Sequence, residues 1–147
     1  MFLGRYPASI DAKGRLVLPS QYREVLKAKE EDTLLVTNHQ DPFLWAYPLE
    51  DWKARGKNIE DPSSYDEKQA DYIMYFFSLV NECSLDGQGR ILVPTLLRQH
   101  AQLEKEAVLI GMGIKIAIWA KERWDQFEAE MVKKKAELSK HMHGFGF

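Results

Sequence analysis

The sequence has little cysteine, no long apolar run and almost no net charge. Cys83 is the only cysteine in 147 residues, which excludes an intramolecular disulfide and a cysteine-cluster metal site and is typical of a reducing compartment. No run of about 18 apolar residues occurs, and the N-terminus lacks a basic stretch followed by an apolar one, so neither a membrane span nor a secretory signal is expected. The formal net charge of −2 argues against binding to nucleic acid through bulk charge.

Recognisable catalytic motifs are also missing. There is no Gly-x-Ser-x-Gly, no phosphate-binding glycine loop and no His-Glu-x-x-His. His141 and His143 lie in residues 141–147, which are predicted to form a flexible tail, and two histidines on a loose tail make no preorganised metal site. We therefore expect no enzyme, no cofactor and no small-molecule substrate. A deep pocket lined by Asp11 and Asp86 would favour the alternative of an enzyme.

What the sequence does contain is an internal repeat with an offset of 75 residues. Asp, Gly, Arg and Pro recur at identical positions, and three apolar residues fill the same gap in both copies. A unit of roughly 45–50 residues buries too little apolar surface to be stable alone, so the two copies are expected to share a core or to pair with other subunits. The two copies of the turn are Asp11-Ala12-Lys13-Gly14-Arg15-Leu16-Val17-Leu18-Pro19 and Asp86-Gly87-Gln88-Gly89-Arg90-Ile91-Leu92-Val93-Pro94.

The repeat continues past these turns. Arg23 recurs as Arg98, four residues after the matching proline, and the offset then shortens to 72, as expected if loops have been lost. The further matches are Leu34-Leu35-Val36 with Val108-Leu109-Ile110, Leu44 with Ile116, Ala46 with Ile118, Tyr47 with Trp119, and Trp52 with Trp124.

Each copy predicts the same order of elements. The strands after the turns contain consecutive apolar residues, which indicates burial on both faces. Pro19 and Pro94 suit the first turn of a helix, because proline needs no hydrogen-bond donor there. The predicted elements are an apolar lead-in at 3–10 or 83–85, a strand at 15–18 or 90–93, a helix at 20–28 or 95–102, and a strand pair at 33–37 with 43–47 or 107–111 with 115–120.

Two further helices are predicted outside the repeats. Residues 66–80 form one whose second half is apolar on nearly every face, and residues 122–140 form the other. A helix that is apolar all round must be buried, and in so small a protein we expect burial against another subunit rather than only against its own barrel. The expected interface residues are Tyr72, Ile73, Phe76, Phe77 and Val80.

The arginines after the turns are the candidate functional residues. A guanidinium held beside a tight turn suits phosphates and the acceptor edge of guanine. Lys13 and Arg5 are expected near Arg15, whereas Gln88 replaces the lysine beside Arg90, so the second turn is less basic. The alternative is that each arginine only pairs with the aspartate four residues earlier and holds the turn together.

Taken together, these residues resemble the bacterial MraZ family over nearly the whole chain. Among the matching residues are Pro48-Leu49 and Glu82. The other matching segments are Met1-Phe2-Leu3-Gly4, residues 11–16, Pro19-Ser20-Gln21-Tyr22-Arg23, Tyr47, Trp52, Cys83, residues 86–90 and Leu97-Arg98-Gln99-His100-Ala101. One departure is that residues 66–80 hold a single basic residue, Lys68, where the family commonly has several arginines.

The resemblance implies a fold and a function. The fold is mainly β with short helices: a duplicated, swapped-hairpin split β-barrel, with SpoVT-AbrB-type domains at 5–50 and 80–123, a helical linker at 51–79, and a C-terminal helix and flexible tail at 124–147. The implied partners are double-stranded DNA, at repeated promoter boxes, and further copies in a ring-shaped homo-oligomer. The family places DNA contacts on its Asp-x-x-x-Arg motif, which here falls on Lys13, Arg15, Gln88 and Arg90.

The implied role is a cytoplasmic, nucleoid-associated transcriptional regulator, usually a repressor, of its own operon, the division and cell-wall gene cluster. Two other functions stay open. An AbrB-type antitoxin would also bind DNA, although such proteins normally have one unit per chain. A purely structural ring-former would result if the arginines only hold the turns.

Overall fold

The computed structural model describes residues 1–56, 64–142 and 144–145. In this part of the chain the protein is a mixed α/β structure with a six-stranded antiparallel sheet, a separate two-stranded ribbon and five α-helices. Residues 57–63 of the predicted linker, and residues 143, 146 and 147 of the predicted tail, lie outside the described residues. No helix among the described residues is both long enough and apolar enough to cross a membrane.

The elements follow the order predicted for the two copies, with small shifts at the ends. They are β1 (Arg5–Ser9), β2 (Arg15–Val17), α1 (Ser20–Ala28), β3 (Thr33–Asn38), β4 (Leu44–Pro48), α2 (Leu49–Gly56), α3 (Glu67–Leu79), β5 (Asn81–Ser84), β6 (Arg90–Leu92), α4 (Thr95–Ala101), β7 (Glu106–Gly111), β8 (Ile116–Ala120), α5 (Lys121–Leu138) and a 3₁₀ turn (Ser139–Met142).

The two copies exchange strands. The sheet order is β1-β7-β8-β4-β3-β5, so the first strand of each copy pairs with the third strand of the other, and β4 pairs with its equivalent β8. The equivalent strands β2 and β6 pair with each other in the ribbon. Buried residues from both copies form one core cluster. The copies therefore share a core, as their small size predicts.

The hairpin registers correct one part of the repeat alignment. Leu34 lies opposite Pro48 in the β3–β4 pair, and Ala107 lies opposite Ala120 in the β7–β8 pair. Pro48 and Ala120 are equivalent at the offset of 72, so Leu34 matches Ala107 and not Val108. A run of consecutive apolar residues allows such a one-residue slip, because every register looks equally apolar in sequence.

The ribbon corrects the prediction that β2 and β6 are buried on both faces. Leu16 and Ile91, which are opposite each other, are fully buried. Val17 is 44% exposed and Leu92 is 56% exposed. Successive side chains of a strand point to opposite faces, and only one face of this ribbon lies on the core.

Helix α1 fixes the ribbon to the sheet. It begins after Pro19, which is the residue that sequence analysis placed at its first turn, and it buries Tyr22 and Leu26. The Tyr22 hydroxyl donates to the carbonyl of Gly4 at 2.7 Å, and the Tyr6 ring packs edge-on against the Tyr22 ring at 5.2 Å. Burial raises the pKa of Tyr22 to about 12.

Helix α3 begins with a capping box in which Asp66 accepts from the backbone of Gln69. The five residues predicted for its interface fall into two environments. Phe76 stacks against Trp52 at 6.3 Å, which joins this helix to α2. The other members of the set are Ile73 and Val80, which are half-buried like Phe76, and Tyr72 and Phe77, which are exposed in the single chain.

Candidate nucleic-acid interface

The first turn is held by one carboxylate that accepts three hydrogen bonds. Asp11 Oδ1 accepts from the backbone N–H of Lys13 at 3.0 Å and of Arg15 at 2.9 Å, and Oδ2 accepts from the Arg15 Nε at 2.6 Å. The N–H of Gly14 donates to the Asp11 carbonyl at 2.9 Å and closes the turn. Gly14 has a φ of +89°, a conformation that a residue with a Cβ adopts only with strain.

The second turn repeats this arrangement. Asp86 Oδ1 accepts from the N–H of Gln88 and of Arg90, both at 2.9 Å, and Oδ2 accepts from Arg90 Nε at 2.7 Å. Gly89 has a φ of +74°. In both turns the arginine is therefore fixed through its backbone and through Nε. The terminal nitrogens of Arg15 and Arg90 make no hydrogen bond to the described part of the chain.

The ribbon brings the two arginines onto one face. Arg15 lies opposite Leu92, and Arg90 lies opposite Val17. Arg15 and Arg90 are thus diagonal neighbours, a separation of roughly 7–8 Å between Cα atoms. Backbone bonds of 3.0 Å, from Leu18 to Gly89 and from Val93 to Gly14, tie each turn to the strand that follows the other turn. The two turns consequently form one rigid unit.

A second pair of arginines braces the turns across the repeat. The Arg98 guanidinium lies against Gly14, where a Cβ would stand 2.7 Å from its Nε, and Arg23 lies against Gly89 in the same way. Arg98 Nε also donates to the Val93 carbonyl at 2.9 Å. Sequence analysis matched Arg23 with Arg98 but gave them no role. The sequence feature that could have indicated this role is that both arginines lie four residues after the matching prolines.

The other predicted DNA-contact residues lie either in the two turns or outside them. Lys13 and Gln88 are exposed at the tips of the two turns. Arg5 begins β1, six residues before Asp11, so the extended chain places it roughly 20 Å from the first turn. Its guanidinium pairs with the Glu128 carboxylate on α5 and lies 5.8 Å from the Trp124 ring. Of the predicted DNA-contact residues, the two turns therefore hold four, and Arg5 lies apart from them.

Neither turn aspartate lines the pocket beside α5. A pocket of about 510 Å³ lies between the β4–β8 face and α5, and its lining includes aromatic side chains such as Trp45, Trp119 and Phe127. Asp11 and Asp86 do not line it. Within the described residues no three acidic, histidine or cysteine side chains are grouped to hold a metal ion. A pocket lined by both aspartates would have favoured an enzyme, and this pocket is lined by neither.

The turn carboxylates have lowered pKa values, and this predicts a pH dependence of stability. The backbone N–H of Arg15 is the main cause for Asp11, and that of Arg90 is the main cause for Asp86. A lowered folded-state pKa stabilises the protein above the unfolded-state value, and the stabilisation is lost as the pH falls through the folded-state value. We expect Asp11→Asn with Asp86→Asn to flatten the decline of the melting temperature below about pH 4. Asp71→Asn, at an exposed site on α3, is the control, and an unchanged decline in the double variant would contradict the prediction.

Comparison with known proteins identifies the family. The sequence matches the family described as "MraZ protein, putative antitoxin-like" over residues 1–72 and 76–143. Proteins named "Transcriptional regulator MraZ" from Lactiplantibacillus plantarum and Pelotomaculum thermopropionicum are 34% and 39% identical to this chain. The first alignment covers 99% of this chain and 100% of the relative, and the second covers 95% and 93%. A relative of the same name from Alkaliphilus metalliredigens is 36% identical, with 99% of each chain covered. The chain belongs to the MraZ family of transcriptional regulators, which is not a class of enzymes.

Proposed function

We propose that this protein is a sequence-specific DNA-binding repressor that acts on its own promoter and on the division and cell-wall gene cluster, in the cytoplasm at the nucleoid. One observation supports this above the others. Two arginines are held by the same hydrogen bonds in two equivalent turns and lie diagonally on one face of a two-stranded ribbon. A two-stranded ribbon fits the major groove of B-DNA, and its strands can present side chains to base edges.

The arginines are fixed in a way that suits this role. Asp11 engages Nε and the backbone of Arg15, so the base of the side chain is ordered while its two terminal nitrogens stay available. Those two nitrogens form the fork that binds a phosphate or the O6 and N7 of guanine in bidentate fashion. Arg90 has the same arrangement with Asp86. Lys13 adds a phosphate contact at the first turn, and Gln88 adds a neutral hydrogen bond at the second.

The strand exchange between the copies supports the finer architecture, a duplicated swapped-hairpin split barrel of the SpoVT-AbrB type. Its two domains would be residues 5–50 and 80–123, with 51–79 as the linker. In this arrangement neither domain is complete without strands from the other, because β1 pairs with β7 and β5 pairs with β3. Both turns are then presented together on every chain.

A ring of chains resolves the problem of the low charge. One ribbon with three cations binds DNA weakly, but several ribbons on one ring engage several promoter boxes, and linked sites raise the apparent affinity through effective concentration. The exposed apolar side chains of α3 are the surface that would form the ring contacts. Tyr72 and Phe77, together with Met74 and Tyr75, are large apolar side chains that stay exposed in the single chain.

The structural ring-former remains the second candidate, because both arginines do pair with their aspartates. In that case the arginines would stabilise the turns without contacting a partner. Exposed ion pairs contribute little to stability, typically below about 1 kcal/mol, so stapling alone is a weak reason to hold two arginines on one face.

The test is the affinity of the wild-type protein for double-stranded DNA from upstream of its own gene, measured against a scrambled fragment at several salt concentrations. We expect preference for the upstream DNA and a slope of log affinity against log salt that is steeper than about −2, since at least three cations per chain face phosphate or base. Equal affinity for both fragments would disprove sequence specificity, and no binding at low salt would leave the protein as a structural ring-former.

A further inference from the structure

The outer face of the ribbon contains two apolar side chains, and the DNA contacts proposed for the arginines give no reason for their presence. Resting on the proposed function, we propose that Val17 and Leu92 contact the methyl groups of thymine in the major groove and thereby help to set base specificity. Val17 lies two residues after Arg15, and Leu92 lies two residues after Arg90, so the same position is apolar in both copies.

The register places the four side chains in one cluster. Arg15 and Val17 alternate with buried Leu16, so they share the outer face, and Arg90 and Leu92 share it on the other strand. Val17 lies opposite Arg90, and Leu92 lies opposite Arg15. Directly opposite side chains have Cβ atoms roughly 5 Å apart. Each apolar residue therefore lies opposite the arginine of the other copy, so the two arginines occupy one diagonal of the cluster and the two apolar residues occupy the other.

Such a pattern is not expected for a merely solvated face. The outward-facing positions of a solvated ribbon are normally polar, whereas Val17 is 44% exposed and Leu92 is 56% exposed. An apolar face that bound another protein would exclude charges from its centre, but here each strand places an arginine beside an apolar residue on the same face. Alternating cationic and apolar side chains match a surface that offers both anionic and apolar groups.

The major groove offers both kinds of group. Its walls are phosphates, guanine presents two acceptors on its floor, and the C5 methyl of thymine is the apolar group on its base edges. When the terminal nitrogens of the arginines reach guanine or phosphate, the shorter Val17 and Leu92 side chains lie over the base pairs between them. In this arrangement Val17 and Leu92 recognise thymine, while Arg15 and Arg90 position the ribbon on the DNA.

The test replaces thymidine by deoxyuridine, which removes the methyl and leaves the pairing intact. The probes are the upstream fragment and its uracil form, and the proteins are wild type, Val17→Ser with Leu92→Ser, and Val132→Ser as the control. Val132 is 68% exposed on α5, away from the ribbon. We expect wild type and the control to lose about threefold to fivefold in affinity per contacted methyl on uracil DNA. The ribbon variant is expected to bind both probes equally, with a melting temperature close to that of wild type because both positions are exposed.

The outcomes separate this inference from the function on which it rests. If wild type prefers the upstream fragment to scrambled DNA but binds thymine and uracil forms equally, the methyl contacts are disproved and the DNA-binding role stands. The same holds if the ribbon variant keeps the full difference between the two probes. A changed assembly mass for the ribbon variant, with an unchanged difference between the two probes, would show that this face binds a second copy instead. Loss of preference for upstream over scrambled DNA in wild type would overturn both proposals.

Discussion

Arg15→Ala is expected to weaken binding to the upstream DNA by roughly 10- to 100-fold, and Arg90→Ala to weaken it by less. A bidentate arginine contact contributes about 1–3 kcal/mol of discrimination, which corresponds to this range of affinity. The two arginines have the same local geometry, so a difference between them has to come from their neighbours. Lys13 contributes a charge beside Arg15, whereas Gln88 contributes none beside Arg90.

Exchange of the two tip residues is the matched control for this ranking. Lys13→Gln combined with Gln88→Lys keeps the composition and the net charge, and it moves the cation from the first turn to the second. In that background we expect Arg90→Ala to become the more harmful substitution. A ranking that does not follow the lysine, or Arg90→Ala being worse in the wild-type background, would contradict this explanation.

The same series separates DNA contact from turn stapling. In Arg15→Ala, Asp11 keeps its bonds to the backbone N–H groups of residues 13 and 15, so the turn is expected to persist. We therefore expect a melting temperature within a few degrees of wild type while affinity falls. Asp11→Asn should have the opposite profile, with reduced stability and a smaller loss of affinity. If affinity fell only in proportion to stability in both variants, the arginine would stabilise the turn without contacting DNA.

Tyr72→Glu with Phe77→Glu is expected to break the assembly into single chains of 17.1 kDa and to reduce DNA affinity by about 100-fold or more. Tyr72 is 59% exposed and Phe77 is 42% exposed, so two carboxylates at these positions are tolerated by the single chain but not in a buried apolar interface. Loss of linked sites then removes the gain from effective concentration. Mass measured by light scattering, together with affinity for the upstream fragment, checks both parts.

The control for the assembly variant is Val132→Glu, at an exposed apolar position on α5. It is expected to keep both the assembly and the affinity. Two results would contradict the proposal for α3. The wild-type protein could already be a single chain in solution, or the α3 variant could keep the wild-type mass.

The features that sequence analysis predicted are those with a local cause. Pro19 and Pro94 mark the helix starts because proline fits where no donor is needed, and α1 covers the predicted residues 20–28. The turn arginines follow from Asp and Gly at fixed offsets, and the hydrogen bonds of Asp11 and Asp86 show the reason for that spacing. Each of these signals lies within about nine residues of chain.

What the sequence could not supply depends on pairing between distant residues. Arg98 against Gly14 joins positions 84 residues apart, and no periodicity marks such a contact. The exposure of Val17 and Leu92 was also predicted wrongly, because Leu16-Val17-Leu18 is equally consistent with a strand buried on two faces and with a ribbon buried on one. The choice between them depends on whether another layer packs over the outer face of the ribbon, and here only the inner face lies on the core.

The most direct measurement of the central claim compares wild type with Arg15→Ala plus Arg90→Ala on the upstream and scrambled fragments at one fixed salt concentration. We expect wild type to prefer the upstream fragment and the double variant to bind both fragments weakly and equally, with its assembly mass and melting temperature close to those of wild type. A folded, assembled double variant that still prefers the upstream fragment would show that the repeated turns do not bind DNA.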